Sequence, residues 1–234
     1  MATEIQQHLL KDGSDVNISR NGNHQYWVDD GPKMKSVTTM LRHIEGDSFG
    51  VGLHWGLKMV RENGGDLDAP TRMNRTSIEV GNHLHKAVDA YIQHGTVDWE
   101  NPLFLSWFHA IGKNTKWLAS ERFLFHPVLR YGGTLDAVSM QADGEVVIHD
   151  LKTVEPESWA KYGNSLRVNK DAAQLAAYSD ALTHMGSIWA PSSGYITYVR
   201  RDGSGAEVVE VDLERGSKLF GVSRELFVLT QGGE

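Results

Sequence analysis

The chain has 234 residues, 40% of them hydrophobic, enough to bury one substantial core, so a single globular protein is expected. It contains no cysteine, which excludes disulfides and thiolate-held clusters and leaves any metal to histidine, carboxylate or carbonyl ligands, as suits a reducing compartment. A net charge of −7 counts against a simple electrostatic nucleic-acid binder, unless the acids gather at a site whose bound ions reverse the sign a substrate meets.

No apolar run approaches the roughly 18 residues that span a bilayer, and MATEIQQHLLKDGSD lacks the basic-then-apolar layout of a signal peptide. A cytoplasmic protein with no membrane partner is therefore expected. In chain order, NHQYWVDD predicts a short strand, and Ser36 is placed to cap a helical SVTTMLRHI. GLHWGLKMVREN predicts a helix closed by Gly64 and Gly65. The stretch 76–95 predicts a longer one, with Thr76 and Glu79 as a capping box and Gly95 past its end. Ile78, Gly81, Leu84, His85, Val88, Tyr91 and Ile92 trace one face, so His85 falls in an apolar stripe. Asn101 and Pro102 start a further helix that turns Phe104 and Trp107 inward.

From Ser120 the period changes to two, with Glu121, Phe123 and Phe125 on one side and Arg122, Leu124 and His126 on the other. A hairpin follows over 131–153, then a helix over 170–185 capped by Asn169. GYITYVRR and AEVVEVDL predict two strands around DGSG, and a last helix runs from about 213 to 229. Helices first, then strands and helices mixed, predicts an α+β or α/β fold with a mixed sheet and helices packed on it.

The hairpin YGGTLDAVSMQADGEVVIHDLKT carries acids where core residues belong. Alternation puts Asp150 and Lys152 on one face, and Leu151 and His149 on the other. A two-residue Asp143-Gly144 loop would pair Asp136 with Leu151. A three-residue loop with left-handed Gly144 sets Asp136 opposite Asp150, and this register is expected because it gives the two acids a shared purpose. Two adjacent buried carboxylates repel unless a cation intervenes. Lys152 supplies part of that charge, and Mg²⁺ suits the remaining oxygen ligands.

Gly133-Thr134-Leu135-Asp136, Asp150-Leu151-Lys152 and Gln174-x-x-x-Tyr178, with Gly81-x-x-x-His85 upstream, resemble the RecB-like branch of the PD-(D/E)XK nuclease superfamily. KSVTTML and the Trp55 helix look like the corresponding part of phage exonucleases related to mitochondrial genome maintenance exonuclease 1. Leu135, not proline, precedes Asp136. The resemblance implies a nuclease core over 76–234, of restriction-endonuclease-like architecture, with residues 1–75 a strand and helical region packed on it. It implies that His85, Asp136, Asp150 and the Leu151 carbonyl hold Mg²⁺, with Mn²⁺ able to substitute. Lys152 would position or activate the attacking water and stabilise the phosphate, Gln174 and Tyr178 would orient Lys152 or hold a phosphate, and Glu121 stands where many members carry an acid. The implied activity is exonuclease action on single-stranded or end-bearing DNA, alongside replication or recombination proteins. The rivals are a catalytically silent DNA-binding module, a structure-specific endonuclease, and a metal-independent hydrolase using Asp136 and Asp150.

For DNA contact, Lys33, Lys35, Lys58, Arg61, Arg72 and Arg75 form a candidate basic wall, faced by Lys161, Arg167 and Lys170. Trp55, Trp107, Trp117 and Trp159 are candidate stacking platforms. His83, His126 and His149 carry no motif.

Overall fold

Alternating Val16 and Ile18, both buried, give the N-terminal segment a strand period that its polar neighbours obscure. The computed structural model, which describes residues 3–44, 48–162 and 166–231 without the side chains of 43–52, 161–167 and 231, opens on an antiparallel sheet. Its strands are β1 (Glu4–Leu9), β2 (Asp15–Arg20) and β3 (Tyr26–Val28), in that order. The chain therefore begins with strands, not helices, and only β3 was expected.

After β4 (Lys35–Ser36) comes α1 (Val37–Met40), where Ser36 Oγ accepts the Thr39 N–H as anticipated. α2 (Ser48–Glu62) is followed by Gly64 and Gly65, both at positive φ, as the closing pair predicts. α3 runs over Ala69–His94 and starts seven residues before the expected capping box. Thr76 lies inside it and its hydroxyl donates to the Arg72 carbonyl, while Glu79 pairs with Arg75, so the box does not form. Pro70 in the first turn is the start signal that the box masked. Gly95 closes the helix at φ 70°. α4 (Pro102–Ala110) begins as predicted, the Asn101 side chain accepting from the N–H groups of Leu103 and Phe104.

The remaining elements are β5 (Lys116–His126), β6 (Tyr131–Met140), β7 (Val146–Val154), α5 (Pro156–Tyr162), α6 (Leu166–His184), β8 (Ser193–Arg200), β9 (Ala206–Val211) and α7 (Leu213–Gln231). α5 was not expected, and α6 begins early enough to put Asn169 inside the helix instead of at its cap. The central sheet runs β4-β6-β7-β8-β9 with β5 also on β6. β4–β6 and β7–β8 are parallel and the other pairs antiparallel, so the sheet is mixed, as expected. One apolar cluster joins α6 and α7 to the sheet, and a second joins Leu84, Val88, Phe104 and Trp107 of α3 and α4 to Leu151 and Val199. Helices thus flank the sheet, the solution that hides both of its faces.

β6 has an interrupted edge. β7 pairs with it from Ala137 to Met140, and β4 pairs with Tyr131 and Gly132. Among the described residues, no strand pairs with 133–136 on that edge.

Candidate active site

The hairpin register is the three-residue one. Ala137 faces His149 and Met140 faces Val146, Gly144 has φ 90°, and its N–H donates to the Gln141 carbonyl. Continuing that register sets Asp136 opposite Asp150. There the ladder stops, because β7 parts from β6. The Leu151 N–H, left without a β6 carbonyl, donates to Asp136 Oδ2 at 2.6 Å, and the Leu151 carbonyl lies 3.1 Å from His85 Nε2. Asp136 is thereby fixed by a backbone donor at the mouth of a fork.

His85 arrives on α3 in a stripe of Ser77, Gly81, His85 and Asp89, four residues apart and all lining the same cleft. The face is more polar than expected: Leu84 and Val88 enter the core, but Ile78 is 55% exposed. Glu121 lies across from Asp136 on β5, between the pairs Ser120↔Ala137 and Arg122↔Leu135. Its φ is 48°, left-handed in mid-strand, a conformation costly for a side chain bearing a Cβ. The effect is to suspend the alternation. Ser120 Oγ donates to Asp89 Oδ1 at 2.5 Å and Glu121 Oε1 lies 3.3 Å from His85 Nδ1, so two successive residues both reach α3. Gln6 of β1 holds this turn of backbone, donating to the Glu121 carbonyl and accepting from the Phe123 N–H, both at 2.8 Å.

His85 Nδ1 is also 3.5 Å from Asp136 Oδ1, and ligand atoms of His85, Glu121 and Asp136 all lie within 4.8 Å of one another. Burial alone would lower the His85 pKa, but Asp136 and Glu121 together lift it to about 9. The pocket holds a proton because it has an excess of acid. Two carboxylates, an imidazole and the neighbouring Leu151 carbonyl form a hard, oxygen-rich donor set that fits Mg²⁺ or Mn²⁺.

Asp150 is turned from this trio toward α6. Lys152 Nζ lies 2.8 and 2.6 Å from its two oxygens, and Gln174 Nε2 donates to Oδ1 at 3.1 Å. Burial raises the Asp150 pKa to about 7, with Asp136 and Asp171 adding to the effect and Lys152 opposing it. Burial pulls the Lys152 ammonium down, yet Asp150, Asp171 and Asp136 together hold it above the usual lysine range. One ammonium thus serves several acids. Gln174 also donates to the Tyr178 hydroxyl at 3.2 Å, so it links Asp150 to Tyr178. The Tyr178 ring lies on Gly133, where a Cβ would come within 2.4 Å of Cε1. Asp171 was not singled out in the sequence. It accepts from the Tyr198 hydroxyl at 2.9 Å, and Tyr198 is the β8 partner of Lys152.

His85, Glu121, Asp136, Leu151, Lys152, Gln174 and Tyr178 line a cleft of about 940 Å³, whereas Asp150 and Asp171 are buried outside its lining. Its basic residues are Arg20, Lys86, Lys152 and Arg201. None of the six N-terminal lysines and arginines proposed as a wall lines it, and Lys58, Arg72 and Arg75 are paired with Glu62, Asp66 and Glu79. The side chains of Lys161 and Arg167 lie outside the described residues. Of the four tryptophans, Trp107 is buried, Trp159 stacks on Tyr198 and Trp117 packs on Trp107, leaving Trp55 exposed. Arg20 ends β2 and Arg201 follows β8. Each sits at a strand terminus, the one signal that could have marked it.

The profile of the PD-(D/E)XK nuclease superfamily matches residues 42–218. A search of curated proteins finds no match. Among solved structures, the crystal structure of SSO0001 is 15% identical, with 82% of this chain and 75% of that one covered and a TM-score of 0.40, too slight a likeness to carry an argument. No helix among the described residues is long and apolar enough to cross a membrane.

Proposed function

The chain belongs to the PD-(D/E)XK nuclease superfamily, and from that premise we propose that it is a divalent-metal-dependent deoxyribonuclease of the RecB-like branch, an exonuclease on single-stranded or end-bearing DNA. The observation that carries this is the meeting of His85, Glu121 and Asp136 at the unpaired stretch of β6, with Lys152 beside them. The order Gly81-x-x-x-His85, Asp136, Asp150-x-Lys152, Gln174-x-x-x-Tyr178 supports the branch. Likeness to the phage exonucleases related to mitochondrial genome maintenance exonuclease 1, and the division into an N-terminal region 1–75 and a core 76–234, belong to the same reading. A cleft walled by α3 and the N-terminal sheet favours one strand with a free end over an intact duplex.

When bound, a divalent ion polarises the phosphate and makes a coordinated water acidic enough to attack it. His85, Asp136 and the Leu151 carbonyl would hold the ion, Asp150 would join them once Lys152 turns from it to the phosphate, and Glu121 would take a proton from the water. Lys152 exchanges its contact with Asp150 for the charge that develops on the phosphate oxygens. Gln174 keeps Asp150 aligned, and Tyr178 keeps Gln174 aligned. The water oxygen bonds to phosphorus as the strand oxygen departs and takes up a proton.

End-labelled linear and closed circular DNA, single- and double-stranded, incubated with Mg²⁺, Mn²⁺ or EDTA, tests the reading, with Lys152→Ala as control. Linear DNA should shorten from an end only with metal. Cutting in EDTA would overturn the metal role, and cutting of closed circles the exonuclease assignment. No cutting under any condition leaves a silent binding module.

A further inference from the structure

We propose that Arg20 and Arg201 are phosphate-binding residues that fix the register of the substrate strand on opposite sides of the reacting phosphate, an inference that rests on the nuclease reading above. The two guanidinium groups are built alike. Arg20 Nη1 donates to Thr134 Oγ1 of β6 at 3.1 Å and its guanidinium lies 4.7 Å over the Phe123 ring. Arg201 Nη1 donates to Ser77 Oγ of α3 at 2.8 Å and Nε to Thr153 Oγ1 of β7 at 3.4 Å. Each is thus anchored by hydroxyls on the elements that carry the site.

Among the described residues each has one charged partner, and in both cases that partner is largely in solvent. Arg20 pairs with Glu4 at 2.5 Å, with side chains 19% and 62% exposed. Arg201 pairs with Glu155 at 2.8 Å, with side chains 24% and 57% exposed. An exposed carboxylate is weakly held. A backbone phosphodiester offers two oxygens sharing one negative charge, as a carboxylate does, and guanidinium is the side chain suited to take it. Glu4 and Glu155 therefore occupy the places of phosphates in the DNA-free protein.

Both anchors stand close to the site. Thr134 stands two residues before Asp136 and Thr153 two residues after Leu151, each about 7 Å along its strand. Ser77, the second anchor of Arg201, stands eight residues before His85, about 12 Å along a helix. Arg20 reads a phosphate on the β6 side of the reacting one and Arg201 a phosphate on the β7 and α3 side, so the site needs several linked nucleotides.

The test measures binding of a fluorescent single strand by the Lys152→Ala protein in Ca²⁺, and KM and kcat in the otherwise unaltered enzyme. Arg20→Ala and Arg201→Ala should each weaken binding about tenfold and raise KM with kcat little changed. Each should also lower the salt slope by about 1. Glu4→Gln and Glu155→Gln should tighten binding, which loss of a mere structural strut would not do. A single methylphosphonate should cancel the effect of each arginine variant at one position only, a different position for each. Wild-type KM in both arginine variants, weaker binding in both glutamine variants, or a uniform methylphosphonate effect would overturn the two subsites while leaving the nuclease reading intact. Absence of any cutting by the wild type overturns both.

Discussion

Among the described residues, two clusters of imidazole and carboxylate bring their ligand atoms within reach of a single ion. In His126, Asp180 and His184, as in His85, Glu121 and Asp136, they lie within 4.8 Å of one another. The difference lies in how many donors answer each acid. His126 Nδ1 accepts the N–H groups of Val128 and Leu129, which leaves its proton on Nε2, 3.3 Å from Asp180. The Tyr131 hydroxyl donates to the same carboxylate, and His184 Nδ1 lies 3.0 Å from its other oxygen. One acid meets three donors, and His126 cannot offer Nε2 to a metal without breaking two backbone hydrogen bonds. In the cleft, Glu121, Asp136 and the adjacent Asp150 share one imidazole and one ammonium. Proximity is common to both clusters; the charge deficit belongs to one.

The largest expected effect that would sharpen this contrast is on catalysis. Asp136→Asn should cut DNA cleavage by about 10³-fold and abolish the rise in melting temperature that Mn²⁺ gives the wild type, whereas Asp180→Asn should retain both. Equal loss in the two variants would break the comparison. The next effect is on folding. Asp180→Asn removes the charged acceptor facing a buried imidazole N–H and should cost about 1–3 kcal/mol in urea unfolding, read at constant m-value.

The smallest effect is a pH slope of opposite sign at the two clusters. His85, raised to about 9, is protonated in both folded and unfolded chains below about 6.5. Its contribution is whole there and is lost as pH climbs from 6.5 through 9 in EDTA. His85→Gln should flatten that alkaline loss. His126 is lowered by burial, so its contribution is whole above 6.5 and lost as pH falls. Buried His149, lowered to about 3, shares that acid-side loss. Urea midpoints from pH 5 to 9 check both signs.

The turn allows two registers, and the sequence favours the one with Asp136 opposite Asp150 only because it gives the two acids a shared purpose; that a hairpin forms at all was legible from a local rule, Gly144 being free to take the left-handed position. Caps at Ser36, Asn101 and Gly95 were legible for the same reason. At Thr76 the local signal misled, since hydroxyl and acid at capping spacing also suit a helix interior where each has another partner. Glu121 was read as part of an unbroken alternation, and no neighbouring residue announces its left-handed turn; the hold comes from Gln6, more than a hundred residues away. The interrupted edge of β6 and the cleft's arginines depend on strands meeting across the fold, which no window of sequence contains. The basic wall was read by counting cations, which ignores the acids beside some of them: Lys58 pairs with Glu62, Arg72 with Asp66 and Arg75 with Glu79.

Gly133 lies under the Tyr178 ring of α6 and has no side chain, and a Cβ added there would collide with that ring. The phenol resting on it leads through an amide to a carboxylate, so the aim of that acid is set by an empty volume on the neighbouring strand. A single methyl group there would act as a wedge three contacts from the chemistry, displacing a ring that already fills the space. The reaction centre is tuned from a position that carries no functional group at all.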